Sequence, residues 1–284
     1  QRHFRIADDD FWVREGELVL EVARLAQARL RALGAEVILT REDTQPIIQP
    51  DMEAEVSELL RLYPPPTGGG LTAMADYALA LRRAYVHRTF VIGELLERTR
   101  RINGDWQPDV VLSLHINAAA WPRDPEGTER QRLVARDHSH ALIFGAVMPG
   151  ELEQAEHARQ VHRKLSTRSG ATELQIGSAL GEQLGTALQR PPSVYDGRNA
   201  VRMEPGKGYL WARNLLLLRR VDCPAVLLEP FLANSEAGYA AIQSALQTRE
   251  AGEPPAADDI LVRYAEAVVA AILEVYGSLS GDSP

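Results

Sequence analysis

The chain reads as an α/β protein built on a mainly parallel sheet with helices on both faces, and three observations predict this. Asp109-Val-Val-Leu-Ser-Leu114 and Pro224-Ala-Val-Leu-Leu228 are short, nearly continuous apolar runs between turn signals, the pattern of strands buried on both faces of a parallel sheet. Each runs straight into one residue able to bind metal or move protons, His115 and Glu229. Residues 17–33 followed by 35–40 read as a helix and then a strand, the alternation that a doubly wound sheet needs.

Taken in order, residues 17–33 carry Val19, Ala23, Ala26, Leu30 and Leu33 at three- and four-residue spacing, with Val22 beside them. Gly34 supplies the helix stop, and Ala35-Glu-Val-Ile-Leu-Thr40 is the expected strand, ending at Arg41. Residues 45–85 are expected to be an insertion, with a short helix over 52–63 that Pro64-Pro-Pro-Thr-Gly-Gly-Gly70 must break. A stretch of this kind serves as a lid or as a spacer. A long helix is expected over 73–101, then the strand 109–114. Residues 121–137 are polar and irregular, and 140–147 read as another strand, stopped by Pro149-Gly150.

Further along, 151–168 and 178–189 read as helices, 191–208 as a loop rich in Pro, Gly and Asn, and 210–219 as a helix leading into the strand 226–228. Ser235 is placed to cap a helix over 236–247. Residues 251–257 form a linker, and Asp258 or Asp259 caps a last helix whose stripe is Leu261, Ala265, Val268, Ile272 and Val275. A frayed tail is expected from Gly277. The whole, 1–284, is expected to be a single domain around one sheet, with the insertion at 45–85.

With 284 residues, 45% of them apolar, the chain can bury a sizeable core. The formal net charge of −8 and the lack of any basic tract exclude a general nucleic-acid surface. Cys223 is the only cysteine, so an internal disulfide and a multi-cysteine metal site are both excluded. No apolar stretch reaches the roughly 18 residues that span a membrane. Nothing in the sequence sets the oligomeric state.

The chemistry concentrates on the two strand ends. In open parallel sheets, ligands bind beyond the carboxyl ends of the strands, so His115 and Glu229 are expected on one functional edge although 114 positions separate them. Asn117 is close enough to orient a ligand. A carboxylate leaving a buried strand is costly unless paired, exposed or metal-bound; Glu229 is therefore either a rim cap or salt bridge, or a general base tuned by partial burial. His157 and His162, five apart on a charged helix, lie on different faces and read as solvated. His138 and His140, two apart, precede a strand and are candidates to lie near the cleft. His87 carries no signal.

Three segments, in order, resemble one family. Glu15-Gly-Glu-Leu18-Val-Leu20-Glu-Val22-Ala23 with Gly34-Ala-Glu-Val37-Ile-Leu-Thr40-Arg41, then Ser113-Leu-His115-Ile-Asn117-Ala118, then Pro224-Ala-Val-Leu-Leu-Glu229-Pro-Phe231-Leu-Ala-Asn234-Ser-Glu236 resemble the zinc-dependent N-acetylmuramoyl-L-alanine amidases of the AmiA/AmiB/AmiC type. The direct match covers roughly a quarter of the chain. The resemblance implies that Glu15, rather than Glu17, is the zinc-binding glutamate that opens the family's first helix. It implies that His115 is a zinc histidine and Glu229 the catalytic glutamate.

Two histidines, one glutamate and a water suit catalytic zinc. The family's other zinc histidine lies in a glycine-rich segment at the end of its first strand. No such segment is present, and Gln1-Arg-His3-Phe4 does not read as a strand followed by a glycine turn. Either that strand and histidine are missing from this chain, or His3 substitutes, or the metal site is incomplete.

The resemblance further implies Zn2+ as cofactor and peptidoglycan as partner. The reaction would be hydrolysis of the amide between N-acetylmuramic acid and L-alanine, in an extracytoplasmic setting, although no signal peptide is visible. The rival expectations are a non-catalytic peptidoglycan-binding or regulatory module with an incomplete zinc site, and a related zinc amidase or carboxypeptidase acting on another peptide.

Overall fold

A computed structural model describes residues 2–6, 9–122 and 131–277. The chain folds as two compact units, one of residues 1–42 with 108–284 and one of residues 43–107.

The larger unit opens with an antiparallel hairpin of β1 (Arg2–Ile6) and β2 (Asp9–Val13). The first residues pair only within this hairpin and do not join the main sheet, in keeping with the expectation that the first strand of that sheet is missing; Phe4 anchors them, its fully buried ring meeting Trp121 edge-on and stacking on Tyr239. His3 pairs with Trp12 in this ladder, and its side chain lies outside the described residues. Helix α1 (Glu15–Ala32) follows, with Glu15 and Glu17 in its first turn, where the helix dipole favours negative charge. Its buried stripe is Leu18, Val22, Ala26 and Leu30: Val22, Ala26 and Leu30 are as expected, Val19 and Ala23 are only half-buried, and Leu33 is exposed.

The strand expected at 35–40 does not form. The Val37 carbonyl instead accepts from Gln27 Nε2 (3.0 Å) and from Arg31 Nη2 (2.7 Å), so side chains of α1 take the place of a neighbouring strand.

The smaller unit contains the whole 45–85 stretch. Helix α2 (Met52–Leu62) is capped by Asp51, whose carboxylate accepts from Ala54 N. After the Pro/Gly break, α3 (Gly70–Val86) passes through a π-helical stretch, His87–Gly93, into α4 (Glu94–Arg100) and a second π-helical stretch, Arg101–Trp106. The long helix expected over 73–101 is therefore one continuous helical run with two widened segments. Arg88 pairs with Glu55 across to α2, and Tyr77 donates to the Tyr63 carbonyl.

The main sheet contains β3 (Val111–Leu114), β4 (His140–Phe144), β5 (Val201–Arg202), β6 (Leu210–Arg213) and β7 (Ala225–Glu229), in the spatial order β3-β7-β4-β6-β5. Pairs β3–β7 and β4–β6 are parallel; β4–β7 and β5–β6 are antiparallel. The expected α/β class stands, with the sheet mixed. Between the strands run α5 (Pro149–Leu152), α6 (Ala155–Ser166), α7 (Gly170–Leu188) and α8 (Leu216–Arg220); α9 (Glu236–Glu250) and α10 (Ile260–Tyr276) end the chain.

The single helix expected over 210–219 is divided. Its first four residues pair with β4 instead: a run of three buried residues between Gly208 and Asn214 is too short for a helix and suits a central strand.

Successive side chains of a strand point to opposite faces, and both faces of the central strands β7, β4 and β6 are covered, while β3 is half-buried and β5 exposed. Ala141, Ile143, Val226 and Leu228 join α1, α7 and α10 in the main core. On the other face the fully buried Leu142 and the short helix α8 carry Leu217 and Leu218 into the interior. Gly185 on α7 lets the ring of Tyr209 lie against the helix; a methyl group there would fall inside that ring's contact distance. Tyr209 in turn accepts from Ala141 N through its carbonyl (2.8 Å), setting the start of β4. Ser235 caps α9 by accepting from Gly238 N, and Asp259 caps α10 by accepting from Leu261 N, as expected.

Candidate active site

Because β3 and β7 run parallel in register Leu114↔Leu228, their carboxyl ends meet, and the His115 amide donates to the Leu228 carbonyl (3.0 Å). His115 and Glu229 therefore share one edge and, by strand alternation, one face. On the other side of β7, the antiparallel register pairs Glu229 with His140, the first residue of β4. A row His115, Glu229, His140 thus crosses three adjacent strands.

Helix α1 brings Glu15 to one end of this row. Its Oε1 lies 3.1 Å from His115 Nδ1 and accepts from the Ile116 amide at 3.1 Å. The other ring nitrogen, Nε2, is 3.2 Å from Ser113 Oγ. A hydrogen on Nε2, facing the serine, would leave Nδ1 the lone pair that a metal needs, whereas a hydrogen on Nδ1 would be donated to Glu15. Two donors each about 2.0–2.2 Å from one zinc sit roughly 3.3–3.6 Å apart at the tetrahedral angle, so the Glu15–His115 pair, now at hydrogen-bond distance, would need to open only by a few tenths of an ångström to share a metal. The 44% exposure of the His115 side chain leaves that position open to solvent. Among the described residues, no group of three His, Cys, Asp or Glu converges as a metal site.

At the other end of the row His140 is sealed, with 0% side-chain exposure, and its Nε2 is 2.8 Å from Glu229 Oε2 and 2.7 Å from Tyr195 Oη. Tyr195 comes from the loop 191–208, lies edge-on to His140 and Trp211, and carries the Arg213 guanidinium over its ring at 5.5 Å. Burial pushes the Glu229 carboxyl up, but the hydrogen bond from His140, helped by the electrostatic attraction of the neighbouring imidazoles, outweighs it and holds the group below the ordinary carboxylate value. Burial, then His140, lowers His138.

The loops behind the row are tied together. Asp137 accepts from His138 N and Leu232 N and pairs with Arg190 at 2.6 Å. Asn117 exchanges backbone hydrogen bonds with the Phe231–Ala233 segment, and its side chain accepts from Ala118 N. Asn117 therefore braces the 231–233 turn. Tyr264, wholly buried, donates weakly to the His115 carbonyl at 3.4 Å.

The structure thus brings together the three site residues expected from the sequence, Glu15, His115 and Glu229. It adds His140 and Tyr195, which the sequence pattern does not place at the site. The signal available for His140 is its position at the start of an apolar run; the antiparallel direction of that run is not legible. His157 and His162 lie on α6; His157, expected to be solvated, is partly buried, with its Nδ1 out of contact with solvent. Cys223 is partly buried, and burial pushes its thiol up to about 11, the reading of an inert residue.

The catalytic domain of CwlV from Bacillus (Paenibacillus) polymyxa var. colistinus, an N-acetylmuramoyl-L-alanine amidase, superposes over 96% of this chain and 94% of its own, at 14% identity and TM-score 0.48. The CwlD amidase from Clostridioides difficile, solved in complex with the GerS lipoprotein, aligns over 98% of this chain and 92% of its own, at 11% identity and TM-score 0.50, a likeness of fold. No curated protein matches the chain in sequence. The family model described as N-acetylmuramoyl-L-alanine amidase matches residues 7–253, which include Glu15, His115, His140 and Glu229. The chain belongs to the N-acetylmuramoyl-L-alanine amidase family.

Proposed function

We propose that this protein is a zinc-dependent amidase that hydrolyses the amide between the lactyl group of N-acetylmuramic acid and L-alanine in peptidoglycan. Glu15 and His115 are two of its zinc ligands, and Glu229 is its general base. The observation that carries the reading is the Glu15–His115 pair, 3.1 Å apart, in the same row of strand ends as Glu229. Bound zinc would acidify the attacking water and polarise the scissile carbonyl.

The remaining work falls to the protein. Glu229, held ionised, accepts the water's proton and returns it to the leaving amine of L-alanine. Ser113 keeps His115 oriented from behind, and the Ile116 amide holds Glu15 in place. That substrate lies outside the cytoplasm, so the protein is proposed to act extracytoplasmically; no helix among the described residues is long and apolar enough to cross a membrane.

A second reading is a peptidoglycan-binding or regulatory module with an incomplete metal site. It rests on the lack of a third His, Cys, Asp or Glu joining Glu15 and His115 among the described residues. Digestion of purified peptidoglycan with added zinc, with and without chelator, separates the two. Soluble peptides beginning in L-alanine, lost on chelation, support the enzyme; undigested wall retained by the protein supports the module.

A further inference from the structure

We propose that His140 is a positioning residue for Glu229, and that Tyr195 holds His140 in that role. The proposal rests on the reading of Glu229 as the base. His140 Nε2 faces two oxygens, Glu229 Oε2 at 2.8 Å and Tyr195 Oη at 2.7 Å, whereas its Nδ1 is buried with no hydrogen-bond partner among the described residues. A bare Nε2 would turn a lone pair toward a carboxylate, and the hydrogen on Nδ1 would then have no acceptor in the interior. The hydrogen therefore sits on Nε2 and points between the two oxygens.

This fixes one oxygen of Glu229 from the side opposite His115 and leaves Oε1 as the oxygen that handles the water's proton. The arrangement is built rather than incidental. His140 is fully buried, the β4–β7 register places it opposite Glu229, and the Tyr195 ring is packed against Trp211 with Arg213 over its face. The Asp137 carboxylate, bonded to Leu232 N and Arg190, anchors the segment that leads into His140. A carboxylate free to rotate would spend part of its time aimed away from the water, which lowers turnover and leaves substrate binding alone.

The test is steady-state hydrolysis of peptidoglycan fragments by the zinc-loaded parent, His140→Leu, His140→Gln, Tyr195→Phe and Glu229→Gln, with zinc content and melting temperature measured on each. Loss of a supporting hydrogen bond of this kind costs about 10- to 100-fold. His140→Leu should lower kcat by that factor with KM within about twofold and zinc content unchanged, His140→Gln should restore most of it, and Tyr195→Phe should cost less. A parent-like kcat in folded His140→Leu, a loss confined to KM, or no rescue by His140→Gln would overturn the proposal.

Nitrogen-15 NMR of the parent's imidazoles decides the matter even where His140→Leu fails to fold or the parent turns nothing over. His140 should show a hydrogen on Nε2 whose resonance moves in Glu229→Gln and in Tyr195→Phe. A hydrogen on Nδ1 instead, or a resonance indifferent to both substitutions, sinks the proposal. A fully active Glu229→Gln is a different failure: it removes Glu229 as the base, whatever the imidazole spectrum shows.

Discussion

Glu15 Oε1 lies 3.1 Å from His115 Nδ1, bringing together two residues 100 positions apart. Helix α1 delivers the carboxylate and β3 delivers the imidazole. The contact depends on the main core, where Leu18, Val22, Ala26 and Leu30 seat α1 against α10.

From that pair follows a loss-of-metal prediction. His115→Ala should remove zinc from the purified protein, with affinity falling by more than the roughly 100-fold that loss of an outer hydrogen-bond partner causes. Metal analysis after dialysis reads it directly, and unchanged zinc content would refute the ligand assignment.

A buried ion pair braces the sheet from the other end. Lys164 Nζ lies 2.5 Å from Glu173 Oε1 and donates to the carbonyls of Val221 (3.0 Å) and Cys223 (2.8 Å); Glu173 also accepts from Ala225 N, at the start of β7. Lys164→Met should destabilise the protein by about 3–5 kcal/mol, because it strands a buried carboxylate. Adding Glu173→Gln should return part of that loss in a denaturant melt. Equal stability of the parent and the single variant would show the pair to be dispensable.

Gly185 should resist substitution. A Cβ there would stand 2.3 Å from the Tyr209 ring, so Gly185→Ala is expected to cost about 1–3 kcal/mol by overpacking. Gly170→Ala, at the start of the same helix with open space around it, should be neutral or stabilising by up to about 1 kcal/mol. Thermal unfolding of the two variants checks the contrast, and equal melting points would contradict it.

Tyr195 should titrate late. Burial, and then the charge of Glu229, push its phenol up to about 12. A group raised on folding keeps its full contribution to stability below its unfolded value near 10 and loses it as pH climbs through the folded value. Ultraviolet difference titration of the parent against Tyr195→Phe should therefore show the missing ionisation near 12; an ionisation near 10 would mean that the tyrosine is solvated.

The edge that carries His115 and Glu229 is legible in the sequence because each residue ends a short, nearly continuous apolar run that reads as a strand by its length; β7 is buried as expected, whereas β3, at the edge of the sheet, is half-buried along its whole length. Glu15 is legible only through the family spacing, since α1 is apolar on so many positions that the stripe through Leu18 and the stripe through Val19 satisfy the same periodicity. What the pattern does not carry is direction. The run after His140 reads equally well as a strand in either sense, and only the antiparallel pairing with β7 sets His140 opposite Glu229. Likewise Leu210-Trp-Ala-Arg213 and the leucines after it form one apolar stretch, and the division between strand and helix comes from β4 lying alongside the first four residues. Residues 35–40 have strand composition but pair with no strand among the described residues, so composition alone misleads there.

The most direct test of the account is mass spectrometry of the products of purified peptidoglycan digested by the zinc-loaded parent and by Glu229→Gln at matched zinc content. The account predicts peptides with a free L-alanine amino terminus from the parent and a loss of about 10²- to 10⁴-fold in the variant, the range for removing a general base. Release at the parent's rate by Glu229→Gln, or no release by the zinc-loaded parent, would contradict it.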